Sequence, residues 1–380
     1  MKKTTLATMF IIIGLLLISN FNIISSSKIQ VSYTGITLYA GGTGPGNYTK
    51  IQDAINDSSD GDTVFVYNGM YEENLTINKS ITLIGEDKSN TMIYSYITCH
   101  IKLYADSIIF SNFNVYGDYG SIIEIDNDSC YVHDNIIGNL STFGGIWLIL
   151  VDHCKIENNI IGPSGNIFSV LGSNLEINNN TILNSCGSGI ELYSGCNITI
   201  SNNKIYDNYE NGIFAFPLIS VLKNITICKN QIGNNKIGCT IFTCDGVRIS
   251  ENIINNNAEI GIELIDSNNV TIDLNEIENN GFTIDASQEE YLYGGVNLIR
   301  SNSTVNKNNI QNNNHYGLKV NNCTAQAQNN YWGSMLGPNW IESDENEKPF
   351  LSWFCLKFLG DRVIENNGTI NFFPWSINAN

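Results

Sequence analysis

The sequence predicts an all-β chain wound into a single right-handed parallel β-helix, a solenoid closed by a capping helix at the N-terminal end and an aromatic cap at the C-terminal end. Three observations predict it. The pattern apolar-x-x-Asn-x-Ile recurs at a step of roughly 23 residues, within the range of solenoid repeats. The apolar slots around each asparagine are mainly β-branched with polar residues between, the period of two that marks short strands. A glycine then opens a further strand in most units, as in Gly145-Ile146, Gly189-Ile190, Gly212-Ile213, Gly261-Ile262, Gly295-Val296 and Gly317-Leu318.

The recurring asparagines are Asn135, Asn159, Asn180, Asn203, Asn230, Asn252, Asn275, Asn308 and Asn330. Three residues before them stand Val132, Ile156, Ile177, Ile200, Ile227, Ile249, Ile272, Val305 and Ala327. Two residues after them stand Ile137, Ile161, Ile182, Ile205, Ile232, Ile254, Ile277, Ile310 and finally Trp332. A strand of three or four residues cannot bury its apolar face alone, but coils stacked at about 4.8 Å pile like on like into one continuous core. The right hand follows from the chirality of parallel crossovers. The asparagines fit such a stack in two ways: Asn tolerates the left-handed turn conformation, and its amide can donate to one neighbouring coil while accepting from the other. Cys130 and Cys154 occupy a core slot held later by Leu175, Ile198, Ile225, Val247 and Val270, so they read as small buried hydrophobes. Stacked directly they would also lie within disulfide range, and the pairing of the other cysteines stays open.

The ends divide the chain. Residues 1–27, with Lys2-Lys3, the apolar run Leu6 to Ile18 and Ser25-Ser26-Ser27, read as a secretory signal or an N-terminal anchor. Residues 28–105 form the N-terminal cap and first coils, 106–330 the repeats, and 331–380 the C-terminal cap. Within the front cap, Tyr48 to Ser58 places Ile51, Ala54 and Ile55 at helical spacing, with Thr49 as N-cap. Two coils are longer, around Phe214-Ala215-Phe216-Pro217 and near Gln288-Glu289-Glu290-Tyr291, and insertions in a solenoid become surface loops.

A net charge of -18, with Lys and Arg totalling 19, leaves no basic surface for nucleic acid. The expectation is an extracellular or cell-surface monomer that touches a membrane only through its first segment.

The front segment "GGTGPGNYTKIQDAINDSSDGDTVFVYNGMYEENLTINKSITLIGE" and the closing "NNYWGS" resemble secreted archaeal and bacterial right-handed β-helix repeat proteins of the pectin-lyase-like superfamily. That group overlaps the nitrous-oxide-reductase accessory proteins called NosD-like. The resemblance implies the fold and its hand. It implies less about activity, because lyases, hydrolases, epimerases, adhesins and surface proteins share this architecture.

Candidate chemistry can be weighed slot by slot. A lyase needs a base and a cation to neutralise a uronate; Arg248 points outward and Arg300 lies near the longer insertion, neither beside an acidic cluster. A glycosidase needs two carboxyls about 5 to 9.5 Å apart. Glu191 and Glu263, each within "GIEL", share an outward slot but sit three coils apart, about 14 Å. Asp128 and Asp152 fall one coil apart with His153 beside them, and are the candidates for a catalytic or Ca²⁺ site; acidic turn residues on a solvated corner are the simpler account. Copper, implied by the NosD-like resemblance, needs converging His, Met or Cys, whereas His100, His133, His153 and His315 fall on distant coils. Trp147 and Phe214 share the outward slot of Glu191 and Glu263. Those four residues form a candidate carbohydrate-binding strip, either open or covered by a loop. Asn-x-Ser/Thr sequons include Asn74, Asn197, Asn224 and Asn269; the latter three sit where a turn meets a Thr-containing strand, so the repeat generates sequons by itself and they are candidate glycosylation sites.

The sequence therefore points to binding or scaffolding at the cell envelope, with polysaccharide as ligand and no cofactor beyond a conceivable Ca²⁺. The alternatives are a polysaccharide lyase or glycoside hydrolase and a copper-maturation accessory protein.

Overall fold

The computed structural model describes residues 35–95, 101–117, 121–139, 144–282, 293–333, 339–342, 362–366 and 369–371. The first segment (1–27), His100, the insertion at Gln288 to Tyr291 and most of the C-terminal cap lie outside the described residues.

Each coil carries three strands, and each strand pairs in parallel with its equivalent one coil on. The first wall runs through Gly144–Ile149, Gly165–Ser173, the start of Ile190–Ser201, Asn211–Phe216, Ile237–Phe242, Ile260–Ile265, Gly294–Ile299 and Tyr316–Asn321. The second wall includes Lys155–Glu157, Glu176–Asn178, the end of Ile190–Ser201, Leu222–Cys228, Cys244–Ser250, Asn268–Asp273 and Ser303–Asn306. The third wall is an 11-stranded sheet of short segments such as Lys204–Tyr206 and Gln231–Gly233. The register is like on like: Ile156, Ile177, Ile200, Ile227, Ile249, Ile272 and Val305 form one column. Ile161, Ile182, Ile205, Ile232, Ile254, Ile277 and Ile310 form another. All are buried, so each contributes about 1.5–3 kcal/mol of apolar burial. Cys130 and Cys154 sit fully buried on adjacent coils as free thiols, filling the small-hydrophobe slot.

The expected asparagine column is present, and its chemistry differs in one respect from the sequence expectation. The left-handed backbone conformation belongs to the residue before each ladder asparagine: Asp134, Asn158, Asn179, Asn202, Lys229, Glu251, Leu274, Lys307 and Asn329, with φ from 53 to 59°. Since Leu, Lys and Glu are accepted at that turn, turn tolerance is not what selects the asparagine that follows. The amide is. Asn203 Oδ1 accepts both the backbone N–H of Asn180 (2.8 Å) and its Nδ2 (3.0 Å), while Asn203 Nδ2 donates to Asn230 Oδ1 (3.0 Å) and to the Ile177 carbonyl (2.9 Å). The same unit repeats from Asn135 through Asn330. A second amide column, Asn208, Asn235, Asn257, Asn280 and Asn313, satisfies another corner in the same way.

The glycine that opens most first-wall strands answers to crowding. A Cβ on Gly238 would come within 2.3 Å of the Gly261 carbonyl oxygen on the next coil, so the turn closes only without a side chain.

The N-terminal helix spans Ile51–Asp57 and buries Ile51, Ala54 and Ile55 against the strands Thr37–Ala40, Thr63–Val66 and Leu75–Ile77. Thr49 is not its N-cap. Lys50 occupies that position without a side-chain bond, and the Glu73 carboxylate, from a later turn of the chain, accepts the N–H groups of Ile51 (2.9 Å) and Gln52 (3.0 Å). A carboxylate at a helix N-terminus satisfies free donors and complements the helix dipole, so a tertiary cap replaces the local one. At the other end Trp332 is buried, and strands Arg362–Asn366 and Thr369–Asn371 continue the parallel stacking onto Tyr316–Asn321 and Thr324–Gln326.

Replacing Asn203 by alanine strips the acceptor from two buried donors of Asn180 and a donor from the Ile177 carbonyl. At about 1–3 kcal/mol per orphaned group, Asn203→Ala should cost about 3 kcal/mol or more of unfolding free energy. Asn202→Gly, at the exposed left-handed position beside it, should stay within about 1 kcal/mol of the parent. Denaturant unfolding of the two variants checks the contrast; equal effects would contradict it.

Candidate functional site on the outer wall

Because the interior is filled by stacked side chains, accessible chemistry lies on the outside. The first wall presents two outward columns. One reads Glu124, Trp147, Phe168, Glu191, Phe214, Thr240, Glu263, Asn297 and Lys319 in unbroken register. Trp147, Glu191, Phe214 and Glu263 thus share one slot, as the sequence spacing predicts. The other column, two residues further along each strand, carries Ile149, Val170, Tyr193 and Phe216, and then Phe242, Ile265 and Ile299.

The two columns merge into a run of rings that sequence reasoning found only in part. Trp147 lies 5.1 Å from Phe168, Phe168 lies 5.2 Å from Tyr193, Tyr193 lies 6.0 Å from Phe214, and Phe214 and Phe216 lie 5.9 and 5.5 Å from Phe242. These centroid separations are those of favourable aromatic pairs. Four inter-coil steps give a strip about 19 Å long. Rings above and below cover one another's flanks. Phe168 is therefore buried, Trp147 and Phe214 half-buried, and Phe216, at the start of the short insertion, is exposed with Leu218, Ile219 and Val221 after it. Tyr193, Phe216 and Phe242 stand two residues beyond the first outward slot, and Phe168 stands within it but follows Asn166-Ile167, so the spacing from glycine openers does not reveal them; an aromatic two residues beyond the slot is the signal available for the first three.

Polar groups punctuate the strip. Glu191 accepts from Tyr193 Oη (3.0 Å) and Asn166 Nδ2 (3.4 Å), and burial pushes its carboxyl above the ordinary range despite these bonds. Three coils on, Glu263 accepts from Asn297 Nδ2 (3.0 Å), and burial raises its carboxyl too. Beyond it burial holds the Lys319 amine below its usual range. The Lys319 Nζ sits 5.9 Å from the ring of Tyr316, a fully buried tyrosine whose hydroxyl has no hydrogen-bond partner. The Glu191 to Glu263 separation spans three strand spacings, about 14 Å, outside the range for paired-carboxyl hydrolysis.

Asp128, Asp152 and His153 sit together at a corner between the first and second walls. Asp128 Oδ1 accepts the Asp152 backbone N–H (2.8 Å), Asp152 Oδ1 accepts Asn174 Nδ2 (2.6 Å), and Asp152 Oδ2 lies 3.0 Å from His153 Nδ1. Both carboxylates thereby staple one coil to the next. His133 pairs with its neighbour Asp134 at 2.8 Å, and His315 lies against the Tyr293 backbone. Among the described residues no three His, Cys, Asp or Glu side chains gather within reach of one metal ion. Arg248 and Arg300 each pair with an aspartate on an adjacent coil, Asp273 (3.0 Å) and Asp266 (2.5 Å).

Residues 99–240 match a family model described as the right handed beta helix region. A cell surface glycoprotein of Methanothermus fervidus is 30% identical over 203 residues, which covers 50% of this chain and 34% of that protein. Among solved structures, the A-module of a mannuronan C-5 epimerase of Azotobacter vinelandii superposes with a TM-score of 0.52 at 16% identity, covering 86% of this chain and 95% of the module. A family 28 exopolygalacturonase of Yersinia enterocolitica gives 0.54 at 12% identity, covering 86% of this chain and 75% of the enzyme. At such identities the likeness is one of fold. The three-walled parallel coil and these neighbours show the fold to be a right-handed parallel β-helix, and residues 99–240 are similar to the family of that description.

Proposed function

We propose that this chain is a cell-surface β-helix protein that holds an elongated polysaccharide along its first wall, in a binding or scaffolding role at the envelope. The observation that carries the reading is the ring strip from Trp147 to Phe242, with the carboxylate of Glu191 within it and that of Glu263 one coil beyond its end. Aromatic faces pack against the apolar faces of sugar rings, while flanking carboxylates and amides accept and donate to hydroxyls. A strip of this length suits several consecutive sugars of one extended chain. The half-length match to a cell surface glycoprotein supports the location, and two fold neighbours named for mannuronan and polygalacturonan support the ligand class.

One cluster favours a second reading, an enzyme acting on such a polymer. A desolvated lysine and a raised carboxyl, Lys319 and Glu263, stand two coils apart in one outward column, over the wholly buried Tyr316. Groups poised in this way suit proton transfer to or from a sugar.

Incubation of the full chain with a panel of neutral and acidic polysaccharides separates the two, reading retention, reducing ends and unsaturated-product absorbance together. Retention without turnover is the expected result, and turnover of any polymer would replace the binding reading with the enzymatic one. Trp147→Ala and Phe214→Ala should each remove about 0.5–1.5 kcal/mol of stacking. That is a roughly two- to twelvefold weaker Kd with the circular dichroism unchanged.

The charge state of the strip has its own signature. Burial raises the Glu191 carboxyl in the folded chain, so the folded state holds that proton more tightly than the unfolded one. Its contribution to stability is present below the ordinary carboxylate range and is lost as the pH climbs through the raised value. Glu191→Gln should therefore raise the melting temperature at pH 7 to 8 and give no gain near pH 4. A variant less stable than the parent at neutral pH would contradict the assignment.

A further inference from the structure

We propose that the edge between the first and second walls is an N-glycosylation edge, with Asn197, Asn224, Asn269 and Asn302 as its acceptors. The inference is independent of what the aromatic strip binds. It rests on which residue pairs the coils place together.

At this edge each coil bends out of its first-wall strand, and two residues later an outward side chain begins the second wall. That outward column reads Ile109, Tyr131, Lys155, Glu176, Thr199, Thr226, Arg248, Thr271, Thr304 and Gln326 in continuous register. The residues two positions earlier are Ser107, Ser129, His153, Asn174, Asn197, Asn224, Gly246, Asn269, Asn302 and Thr324. The bend itself is permissive: Ser107, Ser129, His153, Asn174, Asn197, Asn224, Gly246 and Asn269 all take positive φ there. The outward slot is permissive as well, since aromatic, aliphatic, cationic and acidic side chains all occupy it. Threonine nevertheless stands in that slot on four coils, and on each of the four an asparagine precedes it by two.

Strand propensity alone would place threonine as readily after Ser129, His153 or Gly246. The coupling of the two positions is what the acceptor signal Asn-x-Thr demands and what the fold does not. The four asparagines are also reachable. All are exposed, and a shallow groove runs beside Asn269, Thr271, Asn302 and Thr304. Three of the amide nitrogens are seen to give one hydrogen to a neighbouring coil: Asn197 Nδ2 to Asn174 Oδ1 (3.0 Å), Asn224 Nδ2 to Asn197 Oδ1 (3.0 Å) and Asn269 Nδ2 to Asp245 Oδ1 (2.6 Å). A second hydrogen on each remains for substitution. In the transfer the nitrogen attacks the anomeric carbon of a lipid-phosphate-linked oligosaccharide. A C–N bond forms, the C–O bond to phosphate breaks, the lipid phosphate leaves with the electron pair, and the amide gives up one proton. No redox partner is required.

The test is tandem mass spectrometry of peptides from the full-length protein recovered from the envelope of the cells that make it. The expected result is sugar mass on these edge asparagines. It should be lost at the matching site in Thr199→Val, Thr226→Val, Thr271→Val or Thr304→Val and retained in the corresponding Thr→Ser variants. Valine preserves the β-branched outward position, so a purely structural threonine would leave the peptide masses of the parent and variant alike apart from the substitution itself. Four unmodified asparagines in the envelope protein, or sugar that persists in the valine variants, would overturn the proposal.

Discussion

The structure depends on one interaction, the amide-to-amide hydrogen bond that runs from each ladder asparagine to the next. A parallel coil must turn a corner at the same place on every lap, and the turn leaves a backbone N–H pointing at the next coil with no strand partner. The ladder amide takes that donor and passes its own hydrogens on, so every corner is satisfied by its neighbour. Because side chains alternate in a strand, a slip of one residue would turn each isoleucine column outward and strand the ladder. Register is therefore held twice, by apolar burial and by the amides, and the second term is the more demanding of geometry.

That constraint decides where function can reside. With isoleucine-rich columns and two amide columns filling the interior of the described coils, the outer walls are what remains for function. Register turns the exterior into columns, so residues about 23 apart in sequence become neighbours. On the first wall this converts single aromatics on successive strands into a strip of touching rings, with carboxylates within it and at its end whose partial burial raises their affinity for protons.

Much of this was legible in the sequence, because a stacked repeat writes its neighbours into its period. The asparagine and isoleucine columns, the capping helix around Ile51, Ala54 and Ile55, and the shared slot of Trp147, Glu191, Phe214 and Glu263 could all be counted off. What escaped has physical causes. The second amide column was visible as asparagine five residues after Asn203, Asn230, Asn252, Asn275 and Asn308, but no apolar pattern marked it. Phe168 follows Asn166-Ile167 rather than a glycine opener, which hid its membership in the column. The left-handed turn was assigned to the ladder asparagine when the residue before it carries it, since both are often asparagine. The helix cap from Glu73 is a tertiary contact that local spacing cannot reveal.

Amide hydrogen exchange at the ladder corners tests the central claim most directly. The backbone N–H groups of Asn180, Asn203, Asn230 and Asn252 lie in turns yet are each bonded to a buried side-chain oxygen. If the amide ladder holds the coils in register, these four should exchange as slowly as the buried strand amides on either side. Exchange at the rate of exposed turns would mean that the corners are open and that the columns on the outer walls are not held in line.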